Sequence, residues 1–305
     1  MSAFVSLLAA ASLFAAVANP TSPYVRTPYV GAISVNAENG DVLSEDNADG
    51  KAYPASVTKL MTAYLVLDDV AAGKLGLADA VTASPVRSKA DAHFRQPSCT
   101  GLRTGQSMTV DEMLKALMVN SANDAAIFLA EKCSGSVDAF VARMNEKAAA
   151  LGMNATKYFN PNGLPPPPFA KERYFNYSTC RDLAKMAVRL LKDHPEIIDY
   201  TSLKTWDATT MGKPFLDGRT KQQIRWVNHN NVMVKNKYKV INPDGTEAVD
   251  GLKTGYINAG GSSIVITGKR KGRRVIAVVL GSSSAKERDT AAADLVTDAL
   301  TALAW

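Results

Sequence analysis

The spacing of apolar and polar positions divides the chain into three parts. Near the start, Ala32-Ile33-Ser34-Val35 and Asp41-Val42-Leu43 flank Glu38-Asn39-Gly40. That pattern predicts a β-hairpin turning at Asn-Gly, since both residues tolerate the positive φ of a tight turn. After Pro54-Ala55-Ser56, the apolar residues Leu60, Tyr64 and Leu67 follow a helical spacing, and Gly73 offers a stop. From about residue 85 to 200 the periodicity is mostly helical. Thr109-Val110-Asp111-Glu112 is a capping box, followed by a stripe of Met113, Leu114, Leu117 and Met118. A further helix is expected from Ser136 to Leu151, with Phe140, Met144 and Leu151 inward and Gly152 closing it. Another begins near Ser178-Thr179 and ends before His194-Pro195. Between them, Pro165 to Pro168 form a loop that cannot be helical. The C-terminal part returns to strands at Gly251–Thr254, Ser263–Ile266 and Val275–Leu280, then closes with an amphipathic helix over about 286–303 carrying Ala292, Leu295, Val296 and Leu300. Strands at both ends with helices between predict an α+β domain. One antiparallel sheet is built by the two terminal segments (about 28–85 and 200–305), with a helical subdomain (about 86–199) inserted.

Composition adds little that is unusual: 305 residues, 46% apolar and 21% charged, suffice for an ordinary core without metal or disulfide staples. The first eighteen residues stand apart. Ser2 to Ala18 carry no charge and end in Ala16-Val17-Ala18, a small-x-small cleavage pattern, although no Lys or Arg precedes the run. Residues 1–18 read as a signal peptide, which places the mature protein in the periplasm or cell envelope. The run is short and alanine-rich for a membrane anchor, and no later segment reaches membrane-spanning length. Of the three cysteines, Cys180 falls in an apolar helical pattern and is expected in the core, while Cys99 and Cys133 are left open as a pair. His93, His194 and His229 are scattered singly, as surface or hydrogen-bonding residues are, so no metal site is expected. The net charge is +6, and its one dense cluster, Lys269, Arg270, Lys271, Arg273 and Arg274, spans a glycine-punctuated turn and reads as a solvated hairpin loop. Nucleic-acid binding would require a broader patch with stacking aromatics.

Three short motifs carry candidate chemistry. Ser56-Val57-Thr58-Lys59 places a hydroxyl and an amine on one helical face, where desolvation beside another cation lets a lysine act as a base. Ser121-Ala122-Asn123, between two helices, can aim a hydroxyl and a carboxamide into one cleft. Lys253-Thr254-Gly255, on a late strand, offers fixed charge, a hydroxyl, and a position where a ligand backbone can lie close against the strand edge. Each alone is compatible with a solvated helix face, a turn or a strand. Together, in this order and these contexts, they match the motif trio of β-lactamases and penicillin-binding proteins.

The chain resembles the low-molecular-mass penicillin-binding proteins, the serine D-alanyl-D-alanine carboxypeptidases, over about residues 28–300. Supporting stretches are Pro54–Thr62, Asn123–Ala126, Leu151–Met153, Asn160-Pro161-Asn162-Gly163-Leu164, Tyr177–Thr179 and Asp250–Tyr256. The resemblance implies a five-stranded antiparallel sheet flanked by helices, no cofactor, peptidoglycan stem peptides as substrate and β-lactams as covalent inhibitors. It also implies Ser56 as nucleophile, Lys59 as base, Ser121 as proton relay and Asn123 as a holder of the substrate amide. Lys253 and Thr254 would face the terminal carboxylate, and the amides of Ser56 and Tyr256 would form the oxyanion hole. Gly255 and Tyr256 complete the substrate strand. Arg288 is a candidate carboxylate ligand, with a surface arginine starting the last helix as the alternative.

Departures from the family pattern are Ile257 where Thr is frequent and an enlarged loop from Asn160 to Tyr177. The second β-rich domain and C-terminal amphipathic anchor of many relatives are expected to be missing. A class A β-lactamase would need a loop glutamate, for which Glu172-Arg173-Tyr174-Phe175-Asn176 has suitable spacing. Ala122 and the peptidase-like Asn160–Leu164 segment argue against that reading. A D,D-endopeptidase would use the same residues on cross-linked peptides, and the sequence leaves the two peptidase activities open.

Overall fold

The computed structural model describes residues 22–85, 98–166 and 174–303. The signal segment at 1–18, His93, Pro167, Pro168 and Glu172 lie outside the described residues. In chain order the elements are β1 (Gly31–Asn36), β2 (Val42–Asp46), α1 (Lys59–Ala71), β3 (Ala80–Thr82), β4 (Ser107–Thr109), α2 (Val110–Met118), α3 (Asn123–Ser134), α4 (Val137–Ala150), α5 (Cys180–Asp193) and α6 (Ile197–Thr201). There follow β5 (Thr205–Asp207), β6 (Thr209–Thr210), β7 (Lys213–Pro214), β8 (Arg225–Val227), α7 (Asn231–Val234), β9 (Val249–Ile257), β10 (Gly261–Arg270), β11 (Arg273–Ser282) and α8 (Ala285–Ala302).

The architecture is α+β around a five-stranded antiparallel sheet of order β2-β1-β11-β10-β9, so terminal segments do supply the sheet. Side chains on a strand alternate between faces, and the continuous apolar run of β11 serves both. Ile276, Val278 and Leu280 face the larger core with α1, α2, α3 and α5. Val275, Ala277 and Val279 face α8 through Ala292, Val296 and Leu300. A strand buried on both faces needs no polar alternation, which is why this stretch reads as one block.

Helix α1 is the central element. Every residue from Val57 to Leu67 is buried, as expected for a helix apolar on all sides. The capping box forms as expected: Thr109 Oγ1 accepts from Glu112 N (3.1 Å), and Glu112 Oε2 accepts from Thr109 N (2.8 Å). Ser136 and Thr179 cap α4 and α5. The stretch from Leu203 to Ala248 forms small two-stranded sheets, β5 with β8 and β6 with β7. These pairs are too short to generate a periodic signal, and their rings and caps hold them, as where Trp206 sits against Trp226. The basic cluster does occupy the β10–β11 turn, but Arg274 is tied to Asp250 by two bonds of 2.6 and 2.7 Å rather than freely solvated. Cys180 is in the core, and no disulfide joins Cys99 to Cys133. Among the described residues, no helix is long and apolar enough to cross a membrane.

Candidate active site

The chain enters α1 through a 3-10 turn, Ala55–Thr58, rather than beginning an α-helix at Ser56. In a 3-10 turn residues i and i+3 eclipse, and Lys59 Nζ accordingly lies 2.9 Å from Ser56 Oγ. The amine is fully buried, and its other partners are Asn123 Oδ1 at 2.8 Å and the backbone carbonyl of Asn162 at 2.7 Å. None of the three is a carboxylate. Burial, reinforced by the nearby charge of Lys253, holds the Lys59 pKa well below the usual lysine range. A neutral amine has two N–H bonds and one lone pair. Asn123 and Asn162 can take both N–H bonds, which leaves the lone pair to Ser56.

The carbonyl of Asn162 is a site feature that sequence reading missed, because a main-chain oxygen has no residue signature. It is delivered by the Asn160–Leu164 turn. Asn160 Oδ1 accepts from Gly163 N (2.7 Å), Asn162 Oδ1 accepts from Leu164 N (2.9 Å), and Thr62 Oγ1 donates to Pro161 O (2.6 Å). Gly163 has φ of +82°, and a Cβ there would stand 1.9 Å from the carbonyl oxygen of Ala55. Only glycine lets this turn press onto the Ser56 segment. Asn176, the last residue of the lactamase-like spacing, is a clamp in this turn. Its Nδ2 donates to Asn160 O (2.9 Å) and Thr58 Oγ1 (3.1 Å), and its Oδ1 accepts from Phe159 N (2.7 Å).

Ser121 and Asn123 join α2 to α3. Ser121 has a left-handed φ of 57°, and Ala55, just before Ser56, has 50°. Such conformations cost about 1–3 kcal/mol each and persist where surrounding structure fixes them. Here Asn123 N donates to Ser98 O (2.8 Å) and Ala122 N to Ala116 O (3.0 Å).

Strand β9 forms the outer edge of the sheet and runs beside the Ser56 turn. Lys253 is buried, with Nζ donating to Thr254 O (3.0 Å). Its pKa is pushed down to about 7, first by burial and then by Arg288. The space at Gly255 is not left for a ligand, as the sequence suggested. A Cβ there would lie 2.4 Å from Pro54 O and 3.0 Å from Ser56 N. The glycine admits the protein's own Ser56 turn, and this brings the Ser56 amide against β9. Tyr256, 62% exposed, stands at the cleft mouth.

Arg288 is not a surface residue. It is 4% exposed, Nε and Nη2 donate to Asp289 Oδ1 (2.8 and 2.6 Å), and it lines the same cleft. His229 is a second feature missed in the sequence, since its spacing to the motifs carries no signal. It is presented by a loop held through Asn228, which donates to Leu203 O (2.9 Å), and Asn230, whose Oδ1 accepts from Val232 N (3.1 Å). His229 lines the cleft while keeping an exposed face, and partial desolvation, then Lys253, Lys59 and Arg288, push its pKa down. His194, by contrast, lies far along the chain from these motifs and bonds to Asp68 (2.8 Å) and Glu196 (3.2 Å). The resulting cleft has a volume of about 300 Å³ and gathers Ser56, Ser121, Asn123, Thr254, His229 and Arg288. It offers the Ser56 hydroxyl, which bonds the buried Lys59 amine, and the Arg288 guanidinium.

The family model described as D-alanyl-D-alanine carboxypeptidase matches residues 23–284. The D-alanyl-D-alanine carboxypeptidase DacF of Bacillus subtilis is 34% identical over 258 residues, which are 85% of this chain and 58% of that protein. The chain thus spans less than two thirds of that relative's length. Among solved structures, the D-alanyl-D-alanine carboxypeptidase DacD of Francisella tularensis superimposes with a TM-score of 0.75 at 28% identity, covering 92% of this chain and 72% of that one. Penicillin-binding protein D2 of Listeria monocytogenes, in its ampicillin-bound form, gives a TM-score of 0.69 at 28% identity over 90% of this chain and 98% of that one. With a match covering most of its length and the same fold in these relatives, the chain belongs to the D-alanyl-D-alanine carboxypeptidase family.

Proposed function

We propose that the protein is a serine D-alanyl-D-alanine carboxypeptidase of the cell envelope that removes the terminal D-alanine from peptidoglycan stem peptides. The observation that carries this reading is the Lys59 amine, buried against Ser56 Oγ with acceptors for both its N–H bonds and no carboxylate among its partners. Ser56 Oγ attacks the carbonyl carbon of the penultimate D-alanine while its proton passes to Lys59 Nζ. The oxyanion is held by the amides of Ser56 and Tyr256, a type of contact worth about 3 kcal/mol per donor. Collapse breaks the C–N bond, and the departing D-alanine amine takes a proton through Ser121. Asn123 orients the substrate amide, and Lys253, Thr254 and Arg288 receive the terminal carboxylate. Water then hydrolyses the ester and restores Ser56. A β-lactam follows the same first step, but its amine stays tethered to the acyl group, so the adduct persists as an inhibited state.

Incubation with muropeptide monomers and dimers, read by mass, tests the activity. The reading expects pentapeptide monomers to lose one alanine residue. Cleavage of dimers alone would make the protein a D,D-endopeptidase, and no cleavage of either would refute the peptidase reading. Export predicts a mature N-terminus near Asn19, and N-terminal sequencing that finds Met1 intact would contradict it.

A further inference from the structure

A second cleft, of about 310 Å³, is lined almost entirely by aromatic rings. Tyr24 and Tyr53 lie 4.3 Å apart between centroids, Tyr53 stacks on Phe175 at 4.7 Å and 14°, and Phe159 stacks on Tyr174 at 5.0 Å and 12°. Tyr177 closes the row, with the exposed Lys51 ammonium 5.0 Å from its ring centre. Tyr174 is 52% exposed, and four of the six rings carry a hydroxyl. Rings with an apolar face and a wet, hydrogen-bonding edge suit a ligand of the same dual character. A β-1,4-linked pyranose chain has it: axial C–H bonds make flat apolar faces, and hydroxyl and amide groups rim them.

The cleft also lies where such a chain would emerge. Tyr53 is three residues before Ser56, and Phe159 three before Asn162, whose carbonyl binds Lys59. Three residues span at most about 11 Å, so both rings begin within that reach of the catalytic groups. A peptide with its carboxylate at Lys253 and Thr254, aligned on the free edge of β9, runs past Tyr256 to the turn at Gly260. There a Cβ would stand 2.8 Å from that of Tyr53. The four stem residues upstream of the scissile bond reach about 14 Å when extended, enough to carry the attached sugar into the aromatic row.

We propose that this aromatic cleft binds the glycan strand of peptidoglycan and so directs the enzyme to stem peptides still attached to sugar. The proposal rests on the carboxypeptidase reading for its substrate, and the test separates the two. Full-length protein and the Tyr24→Ala/Tyr174→Ala variant are compared on a free pentapeptide and on the same pentapeptide joined to its N-acetylglucosamine–N-acetylmuramic acid disaccharide. The parent should favour the disaccharide form by about tenfold in kcat/KM, from two ring contacts of ordinary strength, and the variant should lose that preference. Turnover of the free pentapeptide and penicillin labelling should stay within about twofold, because neither ring touches the reacting groups. Peptide-free glycan strands should show saturation-transfer NMR signals with the parent and none with the variant. Equal rates on both substrates in the parent, a parallel loss on both in the variant, or no glycan signal with the parent would overturn the proposal. Release of D-alanine from neither substrate, with the glycan signal intact, would defeat the carboxypeptidase reading and leave the cleft standing.

Discussion

Two lysines are buried behind the residues of one cleft, and their surroundings differ. Lys59 and Lys253 are both out of water, and burial lowers the pKa of each. Lys59 meets a hydroxyl, a carboxamide oxygen and a main-chain carbonyl, so a neutral amine fits it. Among the described residues Lys253 bonds only to Thr254 O, and the Arg288 charge adds to burial in lowering its pKa to about 7. A carboxylate arriving there would hold the proton on, whereas at Lys59 burial and the charge of Lys253 outweigh the more distant Asp124. The difference teaches that residue type does not distinguish a base from a fixed charge. What neighbours accept and what a ligand brings do so.

Arginine substitution breaks the comparison most sharply. Lys59→Arg installs a permanent charge that cannot deprotonate near neutral pH, so acylation by fluorescent penicillin should slow by about a thousandfold or more. Lys253→Arg, which keeps a cation where a cation is needed, should lose about tenfold or less. Equal losses in stopped-flow acylation would erase the distinction between the two.

The anion-facing end can be dismantled separately. Asp289 is fully buried and is held by Arg288 and by Asn231 Nδ2 at 2.7 Å. Arg288→Ala should therefore destabilise the fold by about 3–5 kcal/mol, because it leaves a buried charge with too few partners. Adding Asp289→Asn should return part of that loss in urea unfolding while kcat/KM stays low. Recovery of activity together with stability would show Arg288 to be structural only.

The packing that aims the Asn162 carbonyl at Lys59 gives a smaller effect. Gly163→Ala meets both the Ala55 carbonyl and a positive φ, and should cost about 2–4 kcal/mol. Gly40→Ala, also at positive φ but in open space, should cost about 1 kcal/mol. Thermal melts of the two variants measure the difference, and equal costs would remove the reason given for Gly163.

The pH profile sharpens the comparison most finely. In the free enzyme Lys253 is charged below about pH 7 and loses its proton above it, so kcat/KM should fall as pH rises through that value. A bound carboxylate raises the pKa, and the alkaline limb of kcat should lie about one unit or more higher. Coincident limbs would mean that Lys253 does not sense the substrate carboxylate.

Much of this was legible in the sequence where the signal is local. Ser56 and Lys59 are three residues apart, and the capping box from Thr109 to Glu112 is a four-residue pattern, so each was readable in place. The β-strands announced themselves because β11 must be apolar on both faces. What escaped is carried by the backbone or by packing at a distance. Asn162 acts through its carbonyl, and Gly255 makes room for Pro54 rather than for a ligand. His229 enters the cleft because Asn228 and Asn230 fix its loop. None of these has a spacing that one chain can reveal.

The central claim is that Ser56 is the acylated nucleophile. Its most direct test is tryptic mapping by mass spectrometry of the protein after reaction with penicillin, beside Ser56→Ala. The account predicts one penicilloyl adduct on the peptide containing Ser56, lasting minutes or longer, and none in the variant with its fold intact. An adduct on any other residue, or undiminished labelling of Ser56→Ala, would contradict it.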